Sequence, residues 1–187
     1  MTIESEQIQV VECSLKIREY HEKRFLEAQK TAIEFTKIII SNLIWINSAG
    51  IGSLPAILAL LDIKATTPVD KFNLTYLPGI VFSIGLISAF ICAYLIYLNF
   101  SKIADTYNAE NQKEINEFYG NLYFIHSNKE LKGYYDNLSK NGDNFARTSR
   151  KWVVFYFWAS RLTGWFSLFC FIGGCYKLIY EIKAIIY

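Results

Sequence analysis

Residues 38–61 read IIISNLIWINSAGIGSLPAILALL, and the fold follows from them. Twenty-four consecutive positions carry no charge. As a helix rising about 1.5 Å per residue they cover roughly 36 Å. The hydrocarbon core of a bilayer is about 30 Å thick, so the segment predicts a transmembrane helix with some tilt. Its second half is polar and small: Asn47, Ser48, Gly50, Gly52, Ser53 and Pro55. Pro55 has no N–H to offer the carbonyl of Ile51, which predicts a kink or loosened turn over 49–54. These six residues read in two ways. Small side chains let another helix backbone come close, and a polar bend can also line a path through the membrane.

Two further runs resemble the first. Residues 78–100 are charge-free over twenty-three positions. Pro78 suits the first turn of a helix, where its missing N–H is not needed. Gly79, Ser83, Gly85 and Ala89 recur at helical spacing and predict a packing face against the first span. The third run, 152–179, begins with the interface-loving Trp152, Tyr156 and Trp158 and contains Arg161. A bare arginine at mid-bilayer costs at least about 2.5–3.5 kcal/mol on insertion scales. Arg161 therefore either faces a protein or water cavity, or snorkels to the head groups from an interfacial start of the span. The second reading is preferred.

The segments between the runs are charged. Residues 1–37 alternate acids and bases, with acid-first pairs such as Glu12–Lys16 and Glu19–Lys23 that support an exposed helix. They contain no Gly or Pro and are expected to continue as helix into the first span. Residues 62–77 form a short loop. Residues 101–151 keep apolar positions at helical spacing (Ile103, Tyr107, Ile115, Phe118, Leu122, then Leu131, Tyr135, Leu138). That stripe predicts one long helix, or two with a break near Ser127–Asn128, and a Gly/Asn/Ser-rich joint over 137–149. The N-terminal helix is its expected partner. The fold class is thus all-α, with three spans (38–61, 78–100 and 152–179), a cytosolic helical bundle of 1–37 with 101–151, and a tail at 180–187.

Lys and Arg number six in 1–37 and eight in 101–151, against two in 62–77. The positive-inside rule then puts the N-terminus and both charged segments in the cytoplasm, the loop and the C-terminal tail outside. The apolar segment nearest the N-terminus is itself expected to direct insertion, since no cleavable leader pattern precedes it.

The chemistry-bearing residue types are sparse. The formal net charge of +2 gives no basic field for nucleic acid. Four cysteines and two histidines lie scattered and match no metal-ligand spacing, so neither metal nor cofactor is expected. Signatures for nucleophilic, metal-dependent or phosphate-binding catalysis are missing, which predicts a protein that is not an enzyme.

Ile46, Asn47, Ser48, Ala49 and Gly50, with Ala56, Leu58, Leu60 and Leu61 after them, resemble the Asn-Gly-Gly-Ala-like first span of a loosely defined family of small bacterial inner-membrane proteins. Ser167, Phe169, Phe171 and Gly173 resemble that family's third span. The resemblance implies the three-span layout. The architecture is also similar to that of membrane effectors of bacterial antiphage systems. The expected break over Asn47–Pro55 and a large cytosolic helical surface without a catalytic motif favour an oligomeric inner-membrane effector or sensor that alters permeability on a cytosolic signal. The competing expectation is a non-conducting membrane binding protein, such as an immunity protein, assembly factor or complex subunit. Expected partners are the lipid bilayer, further copies of the chain and a cytosolic protein.

Overall fold

Long charge-free apolar runs, with the charged segments 1–37 and 101–151 free of Pro, leave helix as the conformation that satisfies every backbone group locally. The structure, a computed structural model, describes residues 3–60, 69, 72–121 and 128–186. It is almost entirely helical: α1 spans Ile3–Leu60, α2 spans Leu77–Asn121 and α3 spans Lys129–Ile186. All three are long and apolar enough to cross a membrane. Most of the expected 62–77 loop lies outside the described residues. Its last part, Phe72–Tyr76, is a π-helical turn leading straight into α2, with Leu74 buried. Pro78 is the second residue of α2.

Residues 49–54 before Pro55 lie within α1, and the Ser53 hydroxyl donates to the carbonyl of Gly50 at 3.1 Å. One local expectation gives way. The Gly/Asn/Ser-rich stretch 137–149 is no joint but lies within α3. A break does occur at Asn128. Its Oδ1 accepts from the N–H groups of Glu130 (3.1 Å) and Leu131 (3.3 Å), capping α3.

The chain divides into two compact units, Met1–Ile39 and Ile40–Tyr187. In the described part of the first, Leu15, Leu26 and Phe35 of α1 are exposed. The second is built on α2 and α3, which lie antiparallel along their whole length. Cys92 Sγ donates to the carbonyl of Ser160 at 3.2 Å. Farther along, a Cβ on Gly142 would stand 3.1 Å from the carbonyl oxygen of Ala109. On α2 the seam is Phe82, Gly85, Ala89 and Cys92, then Ala109 and Gly120; on α3 it is Ser139, Ala146, Ser149, Ser160, Ser167, Gly174 and Leu178, all buried. Spacings of three, four, seven and eleven within 82–92, 109–120 and 139–178 keep these residues on one stripe of each helix. The second half of α2 and the first half of α3 thus form one arm. Within it 103–121 packs along 129–151.

Charges along the arm hold the two helices in register. Lys113 Nζ donates to Asp143 Oδ1 at 3.0 Å, and Arg147 reaches the other oxygen of Asp143 at 2.8 Å. Arg150 pairs with Glu110, and the Ser139 hydroxyl donates to Glu117 at 3.0 Å. The Lys113 hydrogen bond holds the Asp143 carboxyl below the usual aspartate range, with Arg147 and Arg150 acting in the same sense against some desolvation.

Candidate functional site

The polar residues of 38–61 separate by helix face. Asn47 and Gly50 are buried and Ser53 is half-buried, while Ser48, Gly52 and Pro55 are exposed. A side chain on Gly52 would meet nothing within 4 Å. The six expected site residues are therefore two groups facing opposite ways.

The inward group meets α2 and α3 at one point. Asn47 and Ser167 are both 0% exposed. Asn47 Nδ2 donates to the carbonyl of Leu43, one turn back, at 2.9 Å and to Ser167 Oγ at 3.1 Å. The Ser167 hydroxyl in turn donates to the carbonyl of Gly85 at 2.7 Å. One chain of hydrogen bonds thus ties all three helices together. Asn47 Oδ1 is buried and makes no conventional hydrogen bond. A Cβ on Gly85 would fall upon that oxygen, so the glycine hydrogen standing there is directed at it in a weak Cα–H···O contact. Glycine is what lets α1 approach α2 here.

About one turn away Phe82, 1% exposed, lies between two glycines. A Cβ on Gly50 would stand 2.8 Å from its ring, and one on Gly174 would stand 2.5 Å from it. Leu54 and Leu178 complete this core, and the Phe171 ring centroid is 5.9 Å from that of Phe82. Of the α2 residues expected to pack, Gly85 and Ala89 are buried, Gly79 is half-buried with room for a Cβ 3.6 Å from Leu54, and Ser83 is exposed. The Ser83 hydroxyl returns to the carbonyl of Gly79 at 2.8 Å. The residues not singled out from sequence are Phe82, Cys92 and Gly174. Their signal was present in the three-four-three steps of Phe82, Gly85, Ala89 and Cys92 and in the seven-residue spacing of Ser160, Ser167 and Gly174.

Arg161 lies on the exposed face of α3. Its guanidinium carbon is 5.5 Å from the ring centroid of Phe157 and 5.7 Å from that of Trp158, residues one turn earlier. Sixteen residues farther on, Lys177 pairs with Glu181 and lies 5.7 Å from the Tyr180 ring centroid. Among the described residues, no group of His, Cys, Asp and Glu is arranged to hold a metal ion. Compared with family models, curated proteins and solved structures, the chain finds no match.

Proposed function

We propose that this chain is a bacterial inner-membrane protein whose three spans anchor a rigid helical arm, 101–121 with 129–151, that docks a cytosolic protein. The observation that carries this reading is the seam between α2 and α3, whose buried residues recur from Phe82–Cys92 to Ala109 and Gly120. It runs from the apolar part of both helices into a charged part locked by Lys113–Asp143 and Arg150–Glu110. A stalk held that way presents its outer surface, Tyr134 and Phe145 included, at a fixed distance from the spans. The excess of Lys and Arg in the arm and in 1–37 supports a cytoplasmic arm and N-terminus and an external C-terminus. The role is one of binding, without catalysis, cofactor or nucleic acid. To test it, the full-length protein is cross-linked in its host membrane and purified in detergent. A single stoichiometric partner, lost on introducing Tyr134→Asp and Phe145→Asp, is the expected result. Recovery of the protein alone, or retention of the partner by that variant, overturns the reading.

A second reading, an oligomeric effector that alters permeability, is favoured by the outward position of Ser48, Gly52 and Pro55. With Asn47 sealed between helices, a conducting path would run between copies, along that small and polar face. The likeness to antiphage membrane effectors points the same way. Membrane potential on induction separates the two readings. Depolarisation that Ser48→Leu with Gly52→Leu abolishes supports the effector, and an unchanged potential with protein confirmed in the membrane removes it.

A further inference from the structure

Two cations bracket the apolar part of α3, and they are provided for differently. Lys177 has a carboxylate one turn on, Glu181, as partner. Arg161 has two aromatic rings and, among the described residues, no ion pair. Nor can the rest of the apolar belt supply one, because 38–61, 78–100 and 152–176 contain no Asp or Glu. The same sequence fact applies to a second copy of the chain at the same depth. A guanidinium at the edge of low-dielectric surroundings is stabilised by an anion, and since the apolar belt holds no carboxylate, the lipid head groups are the source at hand.

Its direction says from where. Phe157 and Trp158 are four and three residues before Arg161, so the side chain runs back along α3 towards Lys151, away from Lys177. Arg161 and Lys177 are separated by about 24 Å of helix. With each side chain reaching outward from its α-carbon, their charges sit close to the two faces of a hydrocarbon layer about 30 Å thick. Trp152 and Tyr156 stack with centroids 5.6 Å apart just beyond, as aromatic belt residues do at a head-group layer. A planar guanidinium flanked by ring faces presents its paired N–H groups to a phosphate, a geometry lysine does not reproduce.

We propose that Arg161, in the cup formed by Phe157 and Trp158, binds the phosphate of an anionic phospholipid in the cytoplasmic leaflet. The proposal rests on the membrane reading above. It selects lipids that lack a head-group cation, because choline or ethanolamine already neutralises its own phosphate and competes with the guanidinium.

The test uses the full-length protein reconstituted into phosphatidylcholine vesicles containing brominated phosphatidylglycerol or, at equal mole fraction, brominated phosphatidylcholine. Quenching of tryptophan fluorescence reports which lipid sits beside Trp158, and the Trp158→Phe variant identifies that part of the signal. The expected result is an apparent affinity about fivefold higher for phosphatidylglycerol. Arg161→Gln should reduce the preference to about one, and Arg161→Lys should retain only part of it. Equal quenching by both lipids, or the same ratio in the wild type and Arg161→Gln, overturns the proposal. Reversal of the preference by millimolar inorganic phosphate would assign the site to free phosphate and likewise overturn it. Flotation of the protein with the vesicles is scored first. Failure to float removes the membrane reading, whereas flotation without a lipid preference removes only the role of Arg161.

Discussion

Asn47 donates to Ser167, which donates to the backbone of Gly85, so one amide on α1 fixes the level at which three helices meet. A polar contact between apolar helices is worth about 0.6 kcal/mol on average and up to about 1.7 kcal/mol. Asn47→Ala removes both donors and is expected to destabilise the bundle by about 1–2 kcal/mol, read from reversible unfolding in mild detergent. Ser167→Ala leaves the Gly85 carbonyl without this donor and should cost a similar amount. The double variant should cost less than the sum of the singles, since both break the same chain. Full additivity would mean the two side chains act independently.

Glycine on α2 matters at one position more than at the other. At Gly85 a methyl group would collide with the Asn47 amide, whereas at Gly79 it would rest 3.6 Å from Leu54 in ordinary contact. Gly85→Ala should therefore destabilise by about 1–3 kcal/mol, the range for an overpacked site. Gly79→Ala should be neutral or slightly stabilising, because alanine is the better helix former. Gly52→Ala on α1, which meets open space, should also raise helix stability in the monomer. If Gly52→Ala instead destabilised the detergent-solubilised protein, a second copy would have to lie against that face.

Phe82 fills the space that two glycines leave. Truncation to alanine opens a cavity between α1, α2 and α3, with an expected loss of about 3–5 kcal/mol. Gly174→Ala forces the ring to shift and should cost less, about 1–3 kcal/mol. The paired variant Gly174→Ala with Phe82→Leu should recover part of that loss, measured by thermal unfolding in the same detergent. A pair no more stable than Gly174→Ala alone would show that the ring does not occupy that slot.

Much of this architecture was legible in the chain. A charge-free run of the length of 38–61 leaves few alternatives to a spanning helix, and the charges of 101–151 mark where the helices carry polar faces. Position within a face was harder to read. Ser83 and Gly85 are both small residues in one apolar run, and i, i+4 spacing alone does not say which of two neighbouring stripes is inward. The alternating steps of Phe82, Gly85, Ala89 and Cys92 decide it. Gly142 misled for a physical reason. Among Asn and Ser it reads as a turn signal in water, yet here its missing side chain lets α3 come against the backbone of Ala109. Asn47 was recognised as unusual, but which helices it joins depends on tertiary register, which no local pattern encodes.

Acid should loosen the arm through Asp143. Its carboxyl is held below the ordinary aspartate value first by the Lys113 hydrogen bond and then by Arg147 and Arg150. A carboxylate whose folded pKa is lowered stabilises the fold fully above its unfolded value, about 3.9. That contribution disappears as pH falls through the folded value. Amide exchange within 105–120 and 130–150, corrected for intrinsic rate, should therefore quicken below about pH 3.9, while the Asn47–Ser167 region stays protected. Asp143→Asn should give the looser arm already at neutral pH and abolish the acid-dependent step assigned to this residue. Lys113→Met should move that step to higher pH by removing the main cause of the shift. An acid transition unchanged in both variants would place its origin outside Asp143. Because all these pairs are at least partly solvent-exposed, raising salt from low to physiological strength should weaken the arm in the wild type more than in Asp143→Asn.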